Sequence, residues 1–223
     1  MSTDALVIRD MTLRLPDRVL IASLTLSVPR GGVVTLMGES GCGKSSLLAW
    51  LCGTLPGAFT ATGSAAIEGV DLCHLPPEAR RLGILFQDDL LFPHLSVGQN
   101  LAFALSPDVR PRPMRRLRVE QALAEAGLAG FADRDPATLS GGQRARVSVM
   151  RVLLSEPRAL LLDEPFGKLD PETRRQFRQF VFTHLRGKGL PTLMVTHDPE
   201  DAAAGAGPVI RLAGQGGRWE KAS

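Results

Sequence analysis

With 223 residues, the chain is long enough to bury the core of one large domain, alone or with a subdomain. Its 44% apolar and 22% charged residues are ordinary for a soluble protein, and a net charge of +3 does not by itself imply a nucleic-acid partner. No apolar run reaches the roughly 18–20 residues that span a bilayer; the longest, Leu47 to Phe59, is cut by Gly53, Pro56 and Gly57.

Met1-Ser2-Thr3-Asp4 lacks the basic and apolar regions of a signal peptide, and Cys42, Cys52 and Cys73 show no paired spacing. A cytoplasmic chain in a reducing compartment is expected. Short strands are expected at Leu6 to Arg9, Leu24 to Val28 and Val33 to Leu36, with turns at Pro16-Asp17 and Pro29 to Gly32. The third strand runs into Gly38-Glu39-Ser40-Gly41-Cys42-Gly43-Lys44-Ser45, and a helical run from Ser46 to Leu51 follows. Glycines at the first and sixth positions let successive N–H groups turn inward on an anion, Lys44 supplies a mobile positive charge, and the Ser45 hydroxyl suits Mg²⁺. The helix N-terminus adds its own partial positive charge. This is the pattern of a nucleoside triphosphate site. Cys42 within it is either a small residue that fits or a thiol made reactive by the helix N-terminus.

Further strands are expected at Ser64 to Ile67 and Leu82 to Phe86. After Gln87, the segment Asp88 to Val97 gathers Leu90, Leu91, Phe92 and Leu95 in a loop. Helical patterns follow at Val119 to Ala126 and Gln143 to Leu154, separated by a loop rich in Pro and Gly. Arg110, Arg112, Arg115, Arg116 and Arg118, broken by Pro111 and Pro113, read as a solvated loop, since the interleaved aromatics of a nucleic-acid patch are missing. Ser140 before Gly141 and Gly142 makes an N-cap with free backbone N–H groups, a second anion site. Either the chain binds two nucleotides, or each nucleotide is shared between two chains. The apolar strand Ala159 to Leu162 ends in Asp163 and Glu164. A carboxylate at the end of a buried strand can hold Mg²⁺, which suits Asp163; Glu164 points elsewhere by strand alternation and can polarise an attacking water. A helix from Pro171 to Leu185 and a strand from Thr192 to Thr196 complete an alternation that implies a largely parallel sheet covered on both faces.

In that order the phosphate loop, Leu139-Ser140-Gly141-Gly142-Gln143 and Leu160-Leu161-Leu162-Asp163-Glu164-Pro165 resemble the ATP-binding cassette of ABC transporters, over about residues 6–212. Gln87 matches that family's Q-loop glutamine, Leu169-Asp170 its D-loop, and His197 in Thr196-His197-Asp198 its switch histidine. The resemblance implies an α/β fold, a P-loop NTPase (RecA-like) core with an N-terminal antiparallel β subdomain at 1–87 and 155–223, and an inserted α-helical subdomain at 88–154. It implies ATP and Mg²⁺ as ligands. Gly38, Glu39, Ser40, Gly41, Cys42, Gly43, Lys44, Ser45 and Ser46 would hold the phosphates, with Ser45, Gln87 and Asp163 at the metal. Glu164 would activate water and His197 would contact the γ-phosphate, while Ser140, Gly141, Gly142, Gln143 and Asp170 would face the nucleotide of a second copy.

The same resemblance implies a head-to-tail homodimer that drives import through separate membrane permease subunits, served indirectly by a solute-binding protein and not by nucleic acid. It would sit peripherally on the cytoplasmic face of the plasma membrane, with the segment after Gln87 beside the groove for a permease coupling helix. Gly83-Ile84-Leu85-Phe86-Gln87-Asp88 and Ser96-Val97-Gly98-Gln99-Asn100-Leu101 resemble the Ynj-type bacterial importer ATPases, sometimes labelled thiamine-like. An exporter or lipoprotein-release ATPase would share every motif. A soluble cassette of DNA repair or translation typically adds a long coiled coil, zinc-spaced cysteines or a second cassette, and this sequence has none of them. Two departures matter. The chain continues little beyond Val209 to Leu212, so no C-terminal barrel is expected, and the family's adenine-stacking aromatic falls on Leu15, so base selectivity is expected to be loose.

Overall fold

The computed structural model describes residues 4–213 and 218–221. Two compact units emerge: Met1–Leu82 with Arg158–Glu164 and Phe182–Ser223, and Gly83–Pro157 with Pro165–Val181.

The first unit opens with a hairpin of β1 (Asp4–Arg14) and β2 (Val19–Pro29). It closes at Leu15 and Arg18, whose N–H groups donate to each other's carbonyl at 2.9 and 3.3 Å. Both strands outrun the short ones expected from the sequence. Bulges at Asp10 and Ser23, with φ of 48° and 51°, let the ladder continue, since the Asp10 N–H donates to Thr25 Oγ1 and the Ser23 N–H to Thr12 Oγ1. Then come β3 (Val33–Met37), buried throughout, α1 (Lys44–Cys52), β4 (Thr60–Ile67) and the short β5 (Val70–Asp71); β6 (Leu82–Leu85) starts at the last residue of this segment, and its other residues fall in the second unit. The antiparallel sheet has the order β2-β1-β4-β5. Helix α1 ends on a buried cation: the Arg80 guanidinium donates to Trp50 O at 2.8 Å, Leu51 O at 2.7 Å and Leu75 O at 3.0 Å. Trp50 O also accepts from the Gly53 N–H at the C-cap, whereas Leu51 O lies among the last carbonyls, at the helix's negative end, that lack an intrahelical donor.

The second unit carries α2 (Val97–Ala104), α3 (Arg112–Glu125) and α4 (Gly141–Leu154), with α5 (Pro171–Lys188) starting in it. Val97, Leu101, Val119, Leu123, Val147 and Met150 fill its interior. The arginine-rich stretch is not a loop: Arg112 to Arg118 form the first two turns of α3. Pro111 stands at the N-cap and Pro113 inside the first turn, where a missing N–H costs nothing. Helix α2 was likewise absent from the sequence expectation, although Ser96 and Gln99 close it with a reciprocal capping box.

The chain returns to the first unit through β7 (Ala159–Asp163), β8 (Thr192–Thr196), α6 (Pro199–Gly205), β9 (Val209–Ala213) and β10 (Arg218–Lys221). The six-stranded sheet runs β10-β9-β3-β8-β7-β6, and β9, β3, β8 and β7 are parallel. Its central strands are apolar on both faces, as a covered parallel sheet requires. Leu36, Leu161 and Leu193 are fully buried, as are Leu47 and Leu51 of α1. Register sets the site: Thr192 pairs with Val33 on one side and Leu160 on the other, so Met37, Thr196 and Asp163 end almost level. In an open α/β sheet that carboxyl edge is where ligands bind. No helix among the described residues is long and apolar enough to cross a membrane.

Candidate nucleotide site

The loop after β3 bends into α1 through left-handed glycines, Gly41 at φ 81° and Gly43 at φ 99°. Gly43 has a second reason to lack a side chain, because a Cβ there would lie 3.2 Å from Leu20 Cβ. Lys44 is the first residue of α1 and only 5% exposed. Burying an ammonium is costly unless it is solvated by the protein. Here Nζ donates to Gly38 O at 2.7 Å and Glu39 O at 2.9 Å, and lies 3.8 Å from Cys42 Sγ. The loop therefore holds its own cation beside its ring of backbone amides.

Ser45, one residue on, donates its hydroxyl to Asp163 Oδ1 at 3.0 Å. The two oxygens come from residues 118 apart in sequence and meet because β7 ends beside the phosphate loop. Burial pushes the Asp163 carboxyl above its ordinary range; Ser45 and Lys44 pull it down, and neighbouring Glu164 adds to the rise. Two hard oxygens held together, one on a carboxyl that burial destabilises as an anion, fit a divalent cation that also takes phosphate oxygens.

Glu164 does diverge from Asp163, though not by strand alternation. Strand β7 has ended, and Glu164 takes a left-handed φ of 47° while its N–H donates to Val195 O at 3.0 Å. The turn brings Glu164 Oε2 within 3.1 Å of His197 Nδ1, just beyond β8. Glu164 also lines a cleft of about 300 Å³ with Ser40, Gly41, Gly43, Lys44, Ser45 and Ser46 of the loop and with Leu15, Arg18, Leu20 and Phe59. Leu15 was expected there. Phe59 was not singled out in sequence, because nothing in Pro56-Gly57-Ala58-Phe59 marks the ring; it stands in a turn one residue before β4.

In the second unit, Ser140 caps α4: its Oγ accepts from Gln143 N at 3.3 Å, and its own N–H donates to Gln143 Oε1 at 2.9 Å. Gly141 and Gly142 form the first turn, whose amides have no intrahelical acceptor. A Cβ on Gly142 would come within 2.7 Å of Thr173 Cγ2, so that position is sterically closed to larger residues. Gln87 is exposed two residues after β6. The two acids after it are paired, Asp88 with Lys168 and Asp89 Oδ2 with Arg144 Nε at 2.8 Å. Arg144 also donates to Leu139 O at 2.6 Å, so one guanidinium joins the Gln87 loop to the Ser140 turn. Sequence reasoning missed this tie, which spans 55 residues. Asp170 accepts from Thr173 N at 3.1 Å at the start of α5, and those hydrogen bonds lower its carboxyl pKa.

A family model described as ABC transporter matches residues 21–167. The chain is 48% identical to the ABC transporter ATP-binding protein YnjD of Escherichia coli, over 89% of this chain and 91% of that protein. It is 40% identical to the putrescine transport ATP-binding protein PotG of Escherichia coli, over 93% of this chain and 54% of PotG. With the sulfate/thiosulfate import ATP-binding protein CysA of Gloeobacter violaceus it shares 41% identity, over 89% of this chain and 57% of CysA. The chain thus spans about half the length of the latter two. Among solved structures, CbiO1 from Clostridium perfringens, part of the ABC transporter complex CbiONQ, superposes with a TM-score of 0.84 at 26% identity, covering 98% of this chain and 88% of that one.

Proposed function

The chain belongs to the ABC transporter family as an ATP-binding ATPase of the import-type cassettes, and from that premise we propose that two copies act head to tail to drive uptake through separate membrane subunits. The convergence of the Lys44 loop, the Ser45–Asp163 pair and the Glu164–His197 pair at one sheet edge carries this reading.

Each residue then has a physical task. The loop amides and Lys44 would hold the triphosphate, and Ser45 with Asp163 would hold Mg²⁺, which would supply charge neutralisation to the phosphates. Glu164 accepts the proton of the attacking water, and His197 at 3.1 Å fixes the orientation of that carboxylate. Positioning and charge neutralisation supply most of the rate, since phosphoryl transfer asks little covalent chemistry of the protein. The α4 N-terminus, with Ser140, Gly141 and Gly142, offers its amides to the γ-phosphate held by the partner copy.

The permease side is supported by an exposed apolar set in the second unit. Phe86, Leu90, Phe103, Met114 and Leu117 are 43–69% exposed. Phe92 stacks edge-on against Phe103 at 5.0 Å. Asn100, fully buried, accepts from Phe92 N at 2.8 Å and donates to the carbonyls of Phe92, Leu95 and Ser96. A loop pinned in this way presents a rigid apolar surface, which fits the coupling helix of a membrane subunit. Docking there would hold the ATPase peripherally at the cytoplasmic face. Relatives of nearly equal identity are named for putrescine and for sulfate or thiosulfate, a cation and anions, which agrees with a cassette that does not read its cargo.

Turnover of Mg²⁺-ATP by the purified chain tests the catalytic part. Lys44→Ala is expected to lower it by about a hundredfold or more, and turnover equal to the unsubstituted chain would refute the assignment.

A further inference from the structure

The base end of the cleft holds a ring that does not come from the hairpin. Strand β1 lies between β2 and β4, and Arg14 pairs with Val19 on one side and Thr60 on the other. The residues just beyond these pairs are Leu15, Arg18 and Phe59, so three strands bring them to the same edge of the sheet. All three line the cleft that contains Lys44 and Ser45. Leu15 and Arg18 are fixed by their two reciprocal backbone hydrogen bonds. Phe59 is fixed by a turn in which its N–H donates to Pro56 O at 3.0 Å, and it is only partly buried, so a face of the ring is open to the cleft.

We infer that Phe59 is the aromatic platform on which the nucleobase stacks, with Leu15 beneath and the Arg18 guanidinium at its flank, replacing the ring that the Leu15 position lacks. This rests on the nucleotide reading above and specifies how that same site takes its base. Aromatic and guanidinium groups both favour the π-face of a purine. Telling adenine from guanine requires groups matched to the differing atoms of their edges, above all an acceptor for the adenine amino group. The acceptor side chains that line the cleft, Ser40, Ser45, Ser46 and Glu164, are those assigned to the phosphates and the attacking water, and Leu15, Arg18, Leu20 and Phe59 add none. The site selects purines by their faces and accepts both adenine and guanine.

The test is calorimetric binding of ATP, GTP, UTP and base-less inorganic tripolyphosphate, each with Mg²⁺, to the full chain and to Phe59→Leu, Phe59→Tyr and Phe59→Trp. Leucine keeps apolar volume at the turn but removes the ring. Phe59→Leu is expected to weaken ATP and GTP about three- to tenfold and to leave tripolyphosphate unchanged, while the Tyr and Trp variants bind as the unsubstituted chain does. ATP and GTP are expected within about threefold of each other, and UTP weaker. An unchanged ATP affinity in Phe59→Leu, or equal weakening of ATP and tripolyphosphate, overturns the platform and leaves the nucleotide assignment standing. A preference for ATP over GTP above tenfold overturns recognition by face alone. Failure of the unsubstituted chain to bind either ATP or tripolyphosphate overturns both readings.

Discussion

At Asp163 the requirements of folding and of metal binding oppose each other. Its carboxyl is raised by burial, with Glu164 adding to the rise, so folding shifts it toward the protonated form relative to the unfolded chain. A raised folded-state pKa contributes stability at low pH that is lost as pH rises through the folded value. The free chain should therefore be weakened by the ionised Asp163 at neutral pH, and a divalent cation relieves that cost. Asp163→Asn should raise the melting temperature of the nucleotide-free chain at about pH 7, with the gain shrinking toward about pH 4 as Asp163 protonates. The same variant should lose Mg²⁺-dependent turnover. A lower melting temperature at neutral pH would show that the Ser45 hydrogen bond outweighs burial. Glu164 makes a related point. Alternation along an apolar run correctly separates it from Asp163, but the separation actually comes from a left-handed residue after the strand, which no periodicity reveals.

At the scale of elements, local chemistry that is written in contiguous residues was legible and chemistry assembled across the sheet was not. The phosphate loop, the apolar strand before Asp163 and the Ser140 cap are each continuous, and each sits where its residues place it. The α3 start was misread because Pro111 and Pro113 look like breakers, whereas prolines are at home in a first helical turn. Arg80 carried no signal at all in sequence, yet it closes α1 from 30 residues away. Replacing it with alanine removes the side-chain donor to Leu51 O at the end of α1, and Arg80→Ala should cost about 2 kcal/mol in urea denaturation. A loss below about 0.5 kcal/mol would mean that water solvates those carbonyls. The Asn100 clasp acts on a loop in the same manner. Asn100→Leu should speed amide hydrogen exchange at 92–96 by about tenfold or more while leaving α4 unchanged; equal protection in both would show that the loop is held by other contacts.

On the scale of the whole molecule, the chain has two places where backbone amides lack an intrahelical acceptor, and they differ in construction. One is a glycine loop with a buried lysine, and the other is the capped N-terminus of α4. In the proposed dimer, a nucleotide held at Lys44 of one copy and closed by Ser140 of another would use both. In that proposal, hydrolysis would remove the bond between copies, and the pinned apolar surface in the second unit would carry that motion to a membrane partner.

The direct measurement is the solution mass of Glu164→Gln by light scattering, with and without ATP. Removing the base while keeping its shape should leave nucleotide binding intact and stop turnover. With ATP the variant should have the mass of two chains and retain two nucleotides, and without ATP the mass of one. A single-chain mass with ATP bound, or turnover near that of the unsubstituted chain, would contradict both the shared site and the role of Glu164.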